Sequence, residues 1–371
     1  MLFPRSSGTD YVVTRIYAGA LTSDAPWSDT VVVPALGQEG DYILADVTPD
    51  PVMRIALGFM AAKHLFVASE IGIFENLAVA PATLNELAAK SGIPRRTLRI
   101  STDAMVSLGL LECKEGRYRN SAAATTFLGG KAGQDLRPML RFLDRISYPA
   151  WMKLEDAVRR GEGERHFDRF TAEEQQIFSA GVEATTAGMA AALAVSYDFS
   201  RHKRVLDVGG GTGSFLVAVL RRYPALQATL FELPGACAVA RQRLADEPEG
   251  ARIDVVEGDF LKDPLPDDHD ALIVANTIHV LSVGHNVALL RNMRAHAAAG
   301  ARLLLVDWWM DSTHTQPSAA PLISGEFLVI SGEGQAYGED DADEWLPRTG
   351  WRKLEFRPLA GPGSVIIAEA M

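Results

Sequence analysis

The stretch Val205-Leu206-Asp207-Val208-Gly209-Gly210-Gly211-Thr212-Gly213 concentrates residues able to hold a ligand. A short apolar run ends in a glycine-rich turn, and Ser214 to Arg222 continue with helical periodicity. Glycines at a strand-to-helix turn let the backbone bend tightly and come close to a bound molecule. The dinucleotide fingerprint G-x-G-x-x-G requires glycine where Ser214 stands. A P-loop would end in G-K-S/T, which is absent. The spacing is G-x-G-x-G, with an acid, Asp207, two residues ahead. Further acids close later apolar runs: Glu232 in Phe231-Glu232-Leu233-Pro234 and Asp259 in Gly258-Asp259-Phe260. Among eight histidines, His279 in Ile278-His279-Val280-Leu281 is placed to end a strand on the same side. Two cysteines, Cys113 and Cys237, supply neither a disulfide framework nor a thiolate metal site, and no metal is expected.

These residues need a frame, and the chain after Arg201 supplies one. Short apolar runs at 204–208, 228–231, 253–256, 271–275, 302–306, 353–356 and 364–368 alternate with helical stretches. Alternating β and α predicts an α/β fold, a mostly parallel seven-stranded sheet covered on both faces. In such open sheets ligands bind beyond the carboxyl ends of the strands. Upstream, apolar residues from Pro51 onward recur on several helical faces, which suggests a subunit interface. Thr83 and Glu86 form a capping-box pattern, Gly92 ends that helix, and Pro94 opens a second helix through Ser107. Runs flanking Lys114-Glu115-Gly116 read as a hairpin, which completes a winged-helix pattern. The expected organisation is an irregular extension over 1–50, a winged-helix domain over 51–135, connecting helices over 136–200 and the ligand-binding domain over 201–371.

The 371 residues are 47% hydrophobic and 22% charged, ordinary for a globular protein. A net charge of −11 argues against nonspecific grip on nucleic acid or an anionic membrane. The helix over 94–107 carries Arg95, Arg96 and Arg99, but it turns inward at Ile100, Met105 and Leu108, against a recognition-helix role. No run is read as reaching the ~20 apolar residues of a membrane span, and no signal pattern opens the chain. The free cysteines suit a reducing, cytoplasmic setting.

The glycine loop resembles motif I of S-adenosylmethionine (SAM) methyltransferases, with Asp207, Gly209, Gly211 and Gly213 on the cofactor. Glu232 would then take the ribose hydroxyls, since two vicinal hydroxyls can donate to one carboxylate. Asp259 would meet the adenine amino group beside the face of Phe260, and Asn276 joins the cofactor set. From about residue 51 to the end the chain resembles the dimeric small-molecule O-methyltransferases, the plant phenolic type and bacterial natural-product relatives. The likeness rests on the winged-helix pattern, Tyr197-Asp198-Phe199, L-D-V-G-G-G-T-G, F-E-L-P, G-D-F and Thr349-Gly350-Trp351. It implies a homodimer through the N-terminal domain, whose winged helix serves dimerisation and lines the partner's pocket. It also implies His279 as general base, steadied by Asp307 at the end of the fifth strand. Phe142, Trp151, Met189, Trp308 and Phe327 would line the pocket for a small aromatic acceptor. Of the pair Trp308-Trp309, alternation along a strand lets at most one enter the core. An ordinary imidazole near ~6.5 and a phenol near ~10 leave a gap of about 5 kcal/mol. Proton removal therefore accompanies methyl transfer, which favours a phenolic acceptor.

Three positions depart from the family pattern. Val280 follows the histidine where aspartate is usual, Ala275 stands where many members place lysine, and Ala336 replaces a second carboxylate. Glu333 and Glu339 are the substitutes nearby. The departures keep open methyl transfer to carbon or nitrogen on the same fold, and a SAM-binding enzyme or sensor that does not methylate.

Overall fold

The computed structural model describes residues 48–130 and 135–371, and the chain divides at Gly133/Gln134 into two compact units. The extension over 1–50 lies almost wholly outside the described residues. The connecting helices fall within the second unit.

In the first unit α1 (Asp50–Glu70) leads to α2 (Ile73–Val79), the two-residue strand β1 (Ala82–Thr83), α3 (Leu84–Ser91) and α4 (Arg95–Ser107). Hairpin strands β2 (Leu111–Lys114) and β3 (Arg117–Asn120) and helix α5 (Ala122–Phe127) complete it. Thr83 caps α3 through a full capping box with Glu86, and Gly92 ends it with a φ of 69°. Pro94 sits at the N-cap of α4, one position earlier than its first helical residue. On α4 the inward side chains are Leu98 and Met105, whereas Ile100 is exposed. Ile100 therefore corrects the expected inward face. Helix α1 buries only Phe66, Ala68 and Ser69, and leaves Val52 69% and Ile55 80% exposed. Several of its large apolar residues thus stay uncovered among the described residues, while Ile73, Phe74 and Leu77 of α2 are core.

The second unit opens with α6 (Arg137–Phe142), a π turn at Leu143–Ser147, α7 (Tyr148–Trp151), α8 (Leu154–Arg160) and α9 (Ala172–Ser196). The alternating part follows as β4 (Arg204–Val208), α10 (Ser214–Arg222), β5 (Gln227–Glu232), α11 (Pro234–Ala245), β6 (Ile253–Glu257) and β7 (His269–Ala275). After α12 (Val283–His296) and β8 (Ala297–Asp307) come α13 (Ala319–Ser331), α14 (Glu339–Arg348), β9 (Trp351–Pro358) and β10 (Ser364–Ala370). All seven expected strands form one sheet, ordered β6-β5-β4-β7-β8-β10-β9, with β10 antiparallel to both neighbours. Strand β4 is third in this order, inside the sheet, and Val205 packs on one face while Leu206 and Val208 pack on the other. One layer includes Leu193, Leu216, Leu230 and Leu304; the opposite layer includes Leu272, Leu289, Trp345 and Trp351. Between β4 and β7 the strand order reverses, the topological switch where open α/β sheets take ligands.

Helices α1 and α9 are long and apolar enough to cross a membrane by length and composition. This corrects the expectation that no segment reaches that length. The reason for α9 is its position: it packs against α6, α10 and α11 within its unit, so it is apolar on more than one side.

Candidate active site

The chain leaves β4 through three glycines with left-handed backbone, Gly209 at 69°, Gly211 at 57° and Gly213 at 78°. A Cβ on Gly209 would lie 2.8 Å from the Thr277 hydroxyl oxygen, and that hydroxyl donates to the Gly209 carbonyl at 3.2 Å. A Cβ on Gly210 would collide with the Asp207 carboxylate. The loop therefore closes over Asp207, which sits in register between Leu230 of β5 and Ile273 of β7. Asp207 is fully buried, and neither of its oxygens has a hydrogen-bond partner. Burial, with the neighbouring Glu232 charge adding to it, pushes the Asp207 carboxyl up to about 8.

Glu232 ends β5 and accepts from the amides of Gly211 at 2.9 Å and Leu233 at 2.7 Å. Burial raises its pKa, and those two amides counter the rise in part. Asp259 accepts from the Leu261 amide at 3.0 Å and pairs with Lys262 at 2.7 Å. Burial alone would raise its pKa, but these donors bring it below the usual value. Phe260 lies beside the loop, its Cε1 3.3 Å from a Cβ built on Gly209. Asn276 follows β7 with a φ of 55°, and its side-chain oxygen is buried without a partner. A fully buried carboxylate and a buried amide oxygen, both lacking donors, fit a ligand rich in cationic and hydrogen-bond-donating groups. SAM, with an ammonium group, ribose hydroxyls and an adenine amino group, is such a ligand.

His279 does not end a strand as expected. Strand β7 stops at Ala275, and His279 occupies a 3₁₀ turn, Ile278–Val280, three residues farther on. Asn286 of α12 donates to the Ile278 carbonyl at 3.0 Å, and Tyr337 donates to the Leu281 carbonyl at 2.6 Å, which fixes the turn. The His279 Nδ1 lies 2.6 Å from Oδ1 of Asp307 at the end of β8. Both side chains are buried. The His279 amide also donates to Oδ2 at 3.3 Å, and the Trp308 amide donates to Oδ1 at 2.7 Å. An ionised carboxylate only accepts, so the proton of the neutral imidazole sits on Nδ1. Nε2 is left with the lone pair, the arrangement a general base requires. The Phe327 ring stacks on the imidazole with centroids 3.6 Å apart and planes 13° apart.

The expected pocket residues separate. Trp308 packs with Phe327, Met310 and Ala336, while Trp309 is buried in the opposite layer and donates to the Leu305 carbonyl. Trp151 donates its indole N–H to Glu326, the residue before Phe327. Phe142 lies edge-on to Phe178, in a cluster that also holds Val329 and Ile330 of α13. Met189 is corrected: it lies in the core layer of the sheet, tight against Gly363, because α9 turns that face toward β10. Neither substitute for the second carboxylate is free, since Glu333 pairs with His285 at 2.6 Å and Glu339 pairs with Lys353. Ala336 is buried among Met310, Ala320 and Phe327. Among the described residues, His314, Asp340 and Asp341 come within reach of a shared cation, but Asp341 is engaged by the Gly338 amide at the start of α14.

Two residues escaped the reading of the sequence. Thr277 ties the β7 turn to the glycine loop, a role that needs the two turns to be seen together. Glu326 is buried in a helix otherwise almost free of charge. That lone carboxylate in an apolar helix was the available signal.

Residues 151–352 match the O-methyltransferase domain family, and residues 53–130 match the O-methyltransferase dimerisation domain. The chain belongs to the O-methyltransferase family. It is 32% identical over 322 residues to the 3-hydroxy-5-methyl-1-naphthoate 3-O-methyltransferase of Streptomyces sahachiroi, covering 85% of this chain and 93% of the relative. It is 28% identical to the tetracenomycin polyketide synthesis 8-O-methyl transferase TcmO of Streptomyces glaucescens, covering 86% and 96%. The crystal structure of human N-acetylserotonin methyltransferase in complex with SAM superposes with a TM-score of 0.79 at 26% identity, covering 86% and 96%. This O-methyltransferase is a SAM-dependent enzyme, and its α/β sheet and helical N-terminal region are those of its relatives. The first unit contains the family's dimerisation domain.

Proposed function

We propose that this O-methyltransferase methylates a hydroxyl of an aromatic small molecule in natural-product metabolism, with His279 as the general base. The observation that carries the reading is the buried His279–Asp307 pair, 2.6 Å apart and lying against the flat face of Phe327. When bound, SAM supplies an electrophilic methyl group on its sulfonium, so this chain's task is to position and deprotonate the acceptor. Asp207 answers the cofactor's ammonium, Glu232 its ribose hydroxyls, Asp259 the adenine amino group and Phe260 the adenine face. Nε2 of His279 takes the acceptor's hydroxyl proton as the methyl bond forms, and Asp307 offsets the charge on the imidazolium. Trp308 and Phe327 offer planar faces to an aromatic acceptor, and the apolar side chains of Met310 and Ala336 keep water from the base. Two relatives act, by their names, on a naphthoate and on a tetracenomycin polyketide, which supports an aromatic acceptor.

A homodimer through α1 is part of this reading, supported by its uncovered apolar side chains. So is a cytoplasmic setting, supported by the free and exposed thiol of Cys113. Incubation with methyl-labelled SAM and a panel of phenols, anilines and activated aromatic carbons tests the reaction. Label on phenolic oxygen is the expected result. Label on nitrogen or carbon alone would overturn the proposal, as would SAM binding with no transfer to any class.

A further inference from the structure

Glu326 lies on α13 beside the ring that covers the base, and it is 9% exposed. Its Oε2 accepts from the Ser147 hydroxyl at 2.6 Å and from the Trp151 indole N–H. An indole N–H can only donate, so two donors converge on that oxygen and hold the carboxylate in one rotamer. The other oxygen, Oε1, is buried and has no partner. Trp151 is 36% exposed, so the carboxylate lies next to a ring that solvent reaches. A Cβ on Gly325 would lie 2.8 Å from the Trp151 ring, so the absence of a side chain there lets the indole come close to α13. Burial raises the pKa of Glu326, partly offset by Ser147 and Trp151.

An unpaired buried carboxylate oxygen is a standing penalty, which a donor from outside would relieve. Glu326 is the one charged residue of α13, and it directly precedes Phe327, whose ring covers the imidazole. We propose that Glu326 is an acceptor-recognition residue, and that it selects aromatic hydroxyl compounds carrying a second group that donates a hydrogen bond, a ring N–H or an ammonium. This rests on the methyl-acceptor reading above and narrows it to nitrogen-bearing acceptors. A hydrocarbon or ether in the same place would leave Oε1 unpaired.

The test uses two matched pairs of probes on the full-length enzyme: 5-hydroxyindole against 5-hydroxybenzofuran, and tyramine against 4-ethylphenol. Affinity is measured by calorimetry with the enzyme saturated in S-adenosylhomocysteine, and methyl transfer is measured separately with labelled SAM. The wild type should bind the nitrogen-bearing member of at least one pair ten-fold or more tightly than its isostere. Glu326→Leu should bring that ratio to within twofold of one without loss of SAM affinity, and Glu326→Gln, which keeps the shape and one acceptor oxygen, should fall between. A purely structural Glu326 would lower the melting temperature and leave the ratio unmoved. Equal affinities within both pairs of the wild type overturn the inference, as does a ratio unchanged in the Leu and Gln variants or no binding of either nitrogen-bearing probe at millimolar concentration. Discrimination in binding with no transfer to oxygen leaves Glu326 as assigned and overturns the O-methylation reading instead.

Discussion

Replacing Asp307 by asparagine isolates the contribution of one charge to the base. The carboxylate accepts from Nδ1 of His279 at 2.6 Å, from the His279 amide at 3.3 Å and from the Trp308 amide at 2.7 Å. An asparagine keeps one carbonyl oxygen. If that oxygen faces Nδ1 and the Trp308 amide, the new NH₂ opposes the His279 amide, donor against donor. If the side chain flips, NH₂ faces Nδ1, the imidazole must take the other tautomer, and Nε2 can no longer accept a proton. In both cases the negative charge that offsets the imidazolium is gone. A hydrogen bond to a charged group contributes about 1.5–3 kcal/mol net. At ~1.36 kcal/mol per factor of ten, kcat should fall about 10- to 150-fold. The hydrogen bonds of Asp307 go to His279 and Trp308 and none to the glycine loop, so SAM affinity should stay within about twofold. Transfer of labelled methyl under saturating SAM reports kcat, and calorimetry reports SAM affinity. A kcat within twofold of wild type would refute the role of the pair. An equal loss in SAM affinity would show that Asp307 acts through the cofactor site.

His279→Ala should lower kcat by about 10²–10⁴-fold, the usual contribution of a positioned base, with calorimetric SAM affinity unchanged; turnover within threefold of wild type would make His279 a spectator. Glu232→Ala should weaken SAM binding by about 1.5–3 kcal/mol through loss of a charge-assisted bond, and unchanged affinity would remove Glu232 from the cofactor site. Asp207, pushed up to about 8 in the ligand-free protein, is mostly neutral at pH 7, whereas an ammonium ligand favours its charged form. Binding SAM at pH 7 should therefore release about one proton, and affinity should rise with pH below that value; calorimetry in two buffers of different ionisation enthalpy reads this, and Asp207→Asn should abolish it. Phe59→Asp, on the exposed apolar surface of α1, should convert the dimer to a monomer by light scattering, and a wild-type monomer at micromolar concentration would contradict the interface.

The seven strands were legible because a buried parallel strand reads as a continuous apolar run, as Leu303-Leu304-Leu305-Val306 does in β8. The start of β8 at Ala297 was not, since Ala297 to Gly300 carry no apolar alternation. Asp207, Glu232 and Asp259 were legible from their places after or within such runs. The fate of Asp207 was not: its isolation follows from Leu230 and Ile273 on either side, a matter of strand register. His279 was found by residue type, but its turn depends on the left-handed Asn276, which nothing local announces. Met189 was misread because a helical repeat shows that one side faces inward without telling which layer it meets. Glu326 has its partner Ser147 at a separation of 179 residues, beyond any local pattern.

The turn that carries His279 is pinned from several directions. Asn286 and Tyr337 hold its carbonyls, and a Cβ on Gly334 would collide with the His279 carbonyl oxygen. The imidazole has thus lost its conformational entropy on folding, before any acceptor arrives. Asn286 on α12 and Tyr337 ahead of α14 hold the backbone of the turn, whereas Phe327 of α13 stacks on the imidazole itself. Helix α13 thus carries both the cover of the base and the Glu326 carboxylate, so a substitution that shifts this helix reaches the imidazole as well.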